Sequence, residues 1–277
     1  MLYVIMSLYA KDTLLKVQEA IESLLNQIYT PFYLYAICDG PIKSDVASYV
    51  ANLSTNHVHI STRERNLGLA YSLNELLNTV LKKEDCTYIA RMDADDISMP
   101  ERFVKQIAFM NSHPDIDCLG TWAIEIDDDG KEYFRKKMPI THEECLELFK
   151  KRDCMIHPTV MFRRSYFEKA GLYPEDTYFG EDTMMWAKGF KSGCKFANVP
   201  EYLFKFRLDS KIISVIGKRS MYIYIIHIFI LDMFRKKMYM NMPLDTVIFF
   251  VGIYIVTFIS YFVLNDIFGR LIKNGQK

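Results

Sequence analysis

Short apolar segments alternate with amphipathic ones through the first third of the chain. Four segments have the pattern of short strands, and they are Leu2–Leu8, Phe32–Cys38, His57–Ser61 and Thr87–Met92. Three segments between them repeat apolar residues at the helical period, and they are Thr13–Gln27, Val46–Leu53 and Leu69–Leu81. Strands that alternate with helices predict an α/β fold, with a mainly parallel sheet that helices cover on both faces.

The pattern changes twice along the rest of the chain. Residues 100–205 are less regular, with predicted helices at Glu101–Ser112 and Thr183–Ser192. From Ile212 onward apolar and aromatic residues dominate, and Val247–Leu264 holds 18 residues without a charge, which is enough for a membrane-spanning helix. We therefore expect a soluble domain over residues 1–208 and hydrophobic, membrane-associating helices over residues 209–277.

Two arrangements of this C-terminal segment remain open. Ile212–Leu231 and Val247–Leu264 can form a hairpin in the membrane, or the first can lie in the interface while only the second spans. Basic residues stand on both sides of Val247–Leu264, so the charge pattern does not choose between them. Both arrangements keep residues 1–208 at the cytoplasmic face of the cell membrane. Alternatively, these segments pack on the soluble domain or mediate oligomers.

Charge and cysteine content narrow the classes of function. Lys and Arg total 34 among the 277 residues, as do Asp and Glu, so the net charge is zero. A nucleic-acid-binding domain normally has a clear basic excess, and we therefore expect no nucleic-acid partner. The six cysteines form no CxxC pair and are expected to be reduced thiols. The first residues carry no basic region, so no signal peptide is predicted.

An acidic turn follows the fourth predicted strand. Ligands of parallel α/β sheets bind beyond the carboxyl ends of the strands, where Tyr9, Asp39 and Asp93–Asp95 fall. The turn has the sequence RMDADD, and carboxylates two positions apart can meet a divalent cation and a ribose together. Hard cations such as Mn²⁺ or Mg²⁺ take oxygen ligands and neutralise a diphosphate. Asp93 and Asp95 are therefore candidate metal ligands, although an acidic surface turn has the same pattern.

Four further places carry candidate chemistry, and each has a plainer interpretation. Asp39 can accept a hydrogen bond from a nucleobase, or it can belong to an ordinary Asp-Gly turn. Arg65 can pair with phosphate while Asn66 caps the following helix, or both can be plain loop residues. Glu181 and Asp182 open a predicted helix, where a carboxylate can deprotonate an acceptor hydroxyl or simply favour the helix N-terminus. A lone histidine such as His157 is more often structural.

The order of these motifs resembles that of family 2 glycosyltransferases. VIMSLYAKD, CDGP, RNLGLAYSLN, RMDADDISMPER, HPTVMFRR and FGEDTMMW follow one another as in that family, over about residues 1–205. The resemblance implies an inverting enzyme of GT-A fold, with a Rossmann-like sheet, of the kind that often builds bacterial surface polysaccharides. Its partners would be a nucleoside diphosphate sugar and a glycan or lipid-linked acceptor.

The resemblance also implies a role for each candidate residue. The donor-binding set would comprise Leu8, Tyr9, Asp39, Arg65, Asn66, Asp93 and Asp95. Within it, Asp95 would bind the metal and Asp93 the ribose or the metal. Asp182 matches the catalytic base, with Glu181 beside it.

Two features depart from the family pattern. The family often has a proline where Ser7 stands and a second aspartate where Cys38 stands, which affects the expected base contacts. The segment from Ile216 to His227 resembles late membrane helices of integral-membrane acyltransferases, but it carries no visible acyl-transfer chemistry.

Two other functions remain open from the sequence. A nucleotidyltransferase also uses acidic metal ligands on such a sheet, but normally has a glycine-rich basic loop where this chain has YAKD. A membrane-anchored subunit without catalytic activity would not need the DAD and ED motifs. The sugar and the acceptor are not readable, since loops such as Asp127–Lys137 would set them.

Overall fold

The computed structural model describes residues 1–53, 56–176 and 180–208. Its strands are β1 (Leu2–Leu8), β2 (Phe32–Cys38), β3 (Val58–Thr62), β4 (Tyr88–Asp93), β5 (Ile97–Ser98), β6 (Cys118–Ile126), β7 (Glu132–Lys136), β8 (Met161–Arg163) and β9 (Phe196–Arg207). Its α-helices are α1 (Leu14–Leu25), α2 (Ser44–Ala51), α3 (Leu69–Val80), α4 (Arg102–Ser112), α5 (His142–Phe149), α6 (Arg164–Ala170) and α7 (Glu181–Lys191). A 3₁₀ turn occupies His157–Thr159.

The first half of the sheet is parallel, as the sequence predicts. Its strands lie in the order β3-β2-β1-β4, and all three neighbouring pairs are parallel. Ser7 of β1 pairs with Ile37 of β2 on one side and with Asp93 of β4 on the other. The carboxyl ends of these strands therefore meet at one edge of the sheet.

The second half of the sheet is mixed, which corrects the prediction of a mainly parallel sheet. The order continues β8-β6-β9-β5, with β7 paired to β6. Only β6 and β9 are parallel there, while β4–β8, β6–β8, β5–β9 and β6–β7 are antiparallel. The turn between β6 and β7 is too short for a parallel crossover, which needs a dozen or more residues.

Helices cover both faces of the sheet, as predicted. On one face, Leu2, Val4 and Met6 of β1 pack with α1, α2 and α4 in one buried cluster. On the other face, Tyr3 and Ile5 of the same strand pack with α3, α6 and α7 in a second cluster. Successive side chains of a strand point to opposite faces, so a strand covered on both sides needs a continuous apolar run.

The predicted C-terminal helices, including Val247–Leu264, lie outside the described residues. Among residues 1–53, 56–176 and 180–208, no helix is both long and apolar enough to cross a membrane.

Candidate active site

The carboxyl ends of β1 and β2 are joined by backbone hydrogen bonds. Asp39 N donates to the carbonyl oxygen of Leu8 at 2.7 Å, and Leu8 itself is fully buried. Tyr9, the next residue, is exposed, and its N–H donates to the Asp12 carboxylate at 2.8 Å. Lys43 Nζ donates to the Asp12 carbonyl at 2.7 Å. A polar surface therefore continues across the ends of the two strands.

The acidic turn after β4 distributes its charges unevenly. Asp93 pairs with the buried guanidinium of Arg91, so its charge has a partner within the protein. Asp95 has no ion pair among the described residues, and burial followed by the charge of Asp93 raises the pKa of its carboxyl. Asp96 is fully buried, and burial, reinforced by Asp93 and Asp95, raises its pKa well above the ordinary range. An additional cation beside Asp95 and Asp96 would therefore favour the ionised form of their carboxyls.

This charge fits a divalent cation that is shared with a diphosphate. Within the described residues no group of three or more His, Cys, Asp or Glu side chains could hold a metal alone. A hard cation bound with a substrate phosphate needs only one or two protein carboxylates. Asp12 is a further acidic group nearby, and burial followed by the charges of Asp95 and Asp93 raises its pKa to about 7. Asp95, with Asp93, is therefore suited to hold the ion jointly with the ligand.

Asp39 organises the loop that follows β3. It is 2% exposed, and its two carboxylate oxygens accept hydrogen bonds from Leu67 N and Gly68 N, both at 2.9 Å. Asn66 Nδ2 donates to the Asp39 carbonyl at 3.1 Å. Asn66 therefore does not cap α3 as the sequence suggested, since Gly68 occupies the N-cap position with φ of 100°. Helix α3 is anchored instead through the carboxylate of Asp39.

The turn at Gly40 has no room for a side chain. Its φ is 82°, and a Cβ at this position would stand 2.6 Å from Asn66 N. The loop from Arg63 to Gly68 therefore packs against the backbone that follows β2. Arg65 lies in the same loop and is exposed.

A cleft of about 510 Å³ brings the acidic turn together with the start of α7. It is lined by Leu69, Arg91, Asp93, Lys136, Met138, Arg152, Asp153, Met155, Ile156, His157, Pro158, Glu181, Asp182 and Phe206. Asp93 thus shares one cavity with Glu181 and Asp182, although about 90 residues separate it from them in the sequence. Of the other predicted residues, Leu8, Tyr9, Asp39, Arg65, Asn66 and Asp95 do not line it.

Asp182 and Asp153 form an acidic pair at one wall of the cleft. Asp182 Oδ1 accepts from Thr183 N at 2.7 Å, as first-turn residues often do. Thr183 Oγ1 donates to Asp153 Oδ2 at 3.0 Å. Burial raises the pKa of Asp153, and the charge of Asp182 adds to the shift. Asp153 precedes the segment that contains His157 but was not itself a candidate, because only the fold brings it against α7.

His157 is a structural part of the cleft wall. Its Nε2 is 2.9 Å from the hydroxyl of Tyr173, and its ring lies 5.9 Å from that of Trp186. Burial, with the charge of Arg91, lowers the pKa of His157 well below its ordinary value, so the imidazole is neutral. The hydrogen bond and the aromatic neighbours agree with the structural interpretation of this histidine.

Comparisons with known proteins agree with the resemblance. The sequence model of the family described as Glycosyl transferase family 2 matches residues 3–171. The amylovoran biosynthesis glycosyltransferase AmsE of Erwinia amylovora is 35% identical over 219 residues, which cover 77% of this chain and 79% of the relative. An Escherichia coli UDP-Gal:alpha-D-GlcNAc-diphosphoundecaprenol beta-1,3-galactosyltransferase is 29% identical, with 75% and 74% covered.

A solved structure shares the fold. S. aureus TarS 1–349 in complex with UDP-GlcNAc superposes with a TM-score of 0.59 at 17% sequence identity. The match covers 75% of this chain, which spans 58% of the crystallised one. At this identity the likeness shows a shared fold.

Proposed function

Because the chain belongs to glycosyl transferase family 2 and is a glycosyltransferase, we propose that it transfers a sugar from a UDP-sugar to an acceptor hydroxyl with inversion. The observation that carries the proposal is that Asp93 of the acidic turn and Asp182 of α7 line one and the same cleft. Donor and acceptor sites of a transferase must share such a cavity. The relative whose name contains UDP-Gal supports a uridine donor.

The proposed reaction is a single in-line displacement within the cleft. Asp182 accepts the proton of the acceptor hydroxyl as its oxygen attacks the anomeric carbon, with Glu181 beside it. Asp95 and Asp93 would hold Mn²⁺ or Mg²⁺, which when bound stabilises the charge of the departing diphosphate. Arg91 fixes the Asp93 carboxylate through their ion pair. Attack opposite the leaving group in one step inverts the configuration.

The donor nucleoside is assigned to the ends of β1 and β2. Tyr9 and Arg65 are exposed there, and they would contact the base and the phosphates. Asp39, with Asn66, acts in this proposal by holding the loop from Arg63 to Gly68 in place. Leu8 contributes through its carbonyl, which fixes Asp39 N.

We place the enzyme at the cytoplasmic face of the cell membrane, in the assembly of a surface polysaccharide. The apolar sequence of residues 209–277 supports attachment, and the E. coli relative is named for an acceptor linked to diphosphoundecaprenol. Fractionation of cells that express either the full chain or residues 1–208 tests this. Attachment predicts a membrane-bound full chain and a soluble truncation, whereas a full chain that is soluble without detergent contradicts it.

The donor assignment is tested by incubating the full chain with panels of UDP- and GDP-sugars, with and without Mn²⁺. We expect Mn²⁺-dependent release of UDP from one UDP-sugar, and an acceptor product of inverted anomeric configuration by NMR. Preference for a GDP-sugar would refute the uridine donor. Formation of a nucleoside diphosphate sugar from a nucleoside triphosphate and a sugar phosphate would indicate a nucleotidyltransferase. Absence of turnover with any donor and acceptor would favour a non-catalytic subunit.

A further inference from the structure

Arg207, the last residue of β9, is a buried cation with partners on three separate elements. Its side chain is 2% exposed, and its guanidinium binds four oxygen atoms. Nε donates to the carbonyl of Asp95 at 2.8 Å, and Nη1 donates to the carbonyls of Asp127 and Asp128 at 3.1 and 2.9 Å. Nη2 pairs with Glu19 of α1 at 2.6 Å.

The backbone N–H of Arg207 also binds the acidic turn, at a second residue. Arg207 N donates to Asp96 Oδ1 at 2.7 Å, and this carboxylate is fully buried. The turn is therefore fixed at two consecutive residues, through the carbonyl of Asp95 and the side chain of Asp96.

These contacts act on a short acidic segment. Asp93, Asp95 and Asp96 lie within four consecutive residues, and Asp93 is itself paired with Arg91. Carboxylates this close repel one another when they are ionised, so their positions depend on cationic and N–H partners. One arginine with several fixed donors is suited to resist this, since a planar guanidinium binds oxygens in a defined geometry.

We infer that Arg207 is the positioning residue of the acidic turn after β4, the metal turn of this proposal. It holds Asp95 in the orientation that divalent cation binding requires and couples this turn to the β6–β7 turn. The inference rests on the proposed function, because it takes Asp95 as the metal ligand. Coupling follows from the guanidinium, whose Nε binds the carbonyl of Asp95 while its Nη1 binds those of Asp127 and Asp128 in the β6–β7 turn. Lys136 at the far end of that hairpin lines the cleft.

A merely structural role would predict loss of stability alone, and Arg163 provides the matched control. It is an arginine on β8 whose Nε and Nη2 donate to the carbonyls of Ile116 and Met110 at 3.1 and 2.8 Å. It pairs in the sheet with Tyr88, at the opposite end of β4 from Asp93. Arg163→Gln therefore removes comparable hydrogen bonds at a distance from the metal turn.

The test measures Mn²⁺ binding by the full chain in detergent, with UDP present, from the EPR signal of free Mn²⁺. Arg207→Gln should weaken Mn²⁺ binding by about 10- to 100-fold, the usual effect of removing a group that orients a metal ligand. Glu19→Gln should weaken it less, and Arg207→Lys should restore part of the affinity. Arg163→Gln should lower Tm and leave Mn²⁺ affinity unchanged.

Unchanged Mn²⁺ affinity in Arg207→Gln would overturn the inference. If that variant does not fold, wild-type affinity in both Arg207→Lys and Glu19→Gln would overturn it instead. An equal loss of affinity in Arg163→Gln would reduce the effect to general destabilisation and also overturn it. Absence of Mn²⁺ binding by the wild-type chain would refute the metal assignment itself. This failure is distinguishable from failure of the Arg207 inference, because it is seen in the wild type without any variant.

Discussion

Replacing Asp39 by asparagine separates two possible roles of this residue. The structure shows both of its carboxylate oxygens engaged with the backbone of the loop, at Leu67 N and Gly68 N. An asparagine has one acceptor oxygen, and its NH₂ group would face the other N–H donor. Asp39→Asn therefore breaks one of the two hydrogen bonds and removes the negative charge from the second.

The expected cost follows mainly from these two changes, and the loss of the 3.6 Å ion pair between Asp39 Oδ1 and Arg63 Nε adds to it. A buried N–H that loses its acceptor costs about 1–3 kcal/mol, and loss of charge on the remaining bond costs roughly 1 kcal/mol more. The free energy of unfolding should fall by about 2–4 kcal/mol. For a domain of this size, each kcal/mol corresponds to about 2–4 °C in Tm. We therefore expect Tm to fall by roughly 4–16 °C.

Thermal unfolding of the full chain, with and without UDP, measures this effect. Asp45→Asn is the matched control, since its carboxylate accepts one backbone N–H, from Val46 at 2.8 Å, near the start of α2. That control should shift Tm by only a degree or two, about 0.5 kcal/mol. A normal Tm for Asp39→Asn together with lost UDP binding would refute the loop role and favour direct contact with the base.

Three further predictions concern the acidic groups. Asp95→Asn should abolish transfer and Mn²⁺ binding while Tm stays near that of the wild type, and retained activity of the purified variant would contradict the metal assignment. Asp182→Asn should lower kcat by about 10²–10⁴-fold with UDP affinity unchanged, as expected for a general base; a parallel loss of UDP affinity would make it a donor ligand. Because burial raises the pKa of Asp12 to about 7, the folded state binds a proton more readily than the unfolded state. Metal-free stability should therefore fall as pH rises from about 4 to 7, and Asp12→Asn should flatten this slope in thermal unfolding with EDTA.

Most of the parallel half of the sheet could be predicted from the sequence because β1, β2 and β4 are largely buried, whereas β3 at its edge is mostly exposed. The bounds of β1 and β2 match the predicted Leu2–Leu8 and Phe32–Cys38. Strands with this burial are continuous apolar runs, and the helices between them have one buried face. Local pattern and tertiary environment therefore agree in this region.

The second half could not be predicted in this way, since its strands are formed by distant pairing. β9 spans Phe196–Arg207, but its centre, at Pro200 and Glu201, contains a proline and a charge. Its partners on β6 lie about 80 residues earlier in the sequence, and the register between the two strands shifts around Trp122. β7 is almost entirely exposed, so it has no alternating apolar face to recognise. In each case the pairing partner, rather than the local pattern, determines the strand.

The site shows the same division between what a residue is and what it contacts. The sequence identified Asp39, Asp93 and Asp182 because each follows a strand or opens a helix. It could not identify Arg207, whose importance comes from oxygens on α1, on the acidic turn and on the β6–β7 turn. Nor could it show that both carboxylate oxygens of Asp39 accept hydrogen bonds from backbone N–H groups of a loop. A carboxylate motif fixes the type of chemistry, whereas its partners fix the orientation.

The two halves of the sheet therefore make different contributions to one cleft. The parallel half supplies strand ends in register at one edge of the sheet, where Asp93 lines the cleft and Asp39 lies outside its lining. The part of the chain that builds the mixed half supplies Lys136, Asp153 and Asp182 to the lining of the same cleft. Arg207 lies on β9 of the mixed half but binds the acidic turn that follows β4 of the parallel half. Changes in the β6–β7 turn should consequently affect the acidic turn through this arginine, because its guanidinium binds backbone carbonyls of both turns.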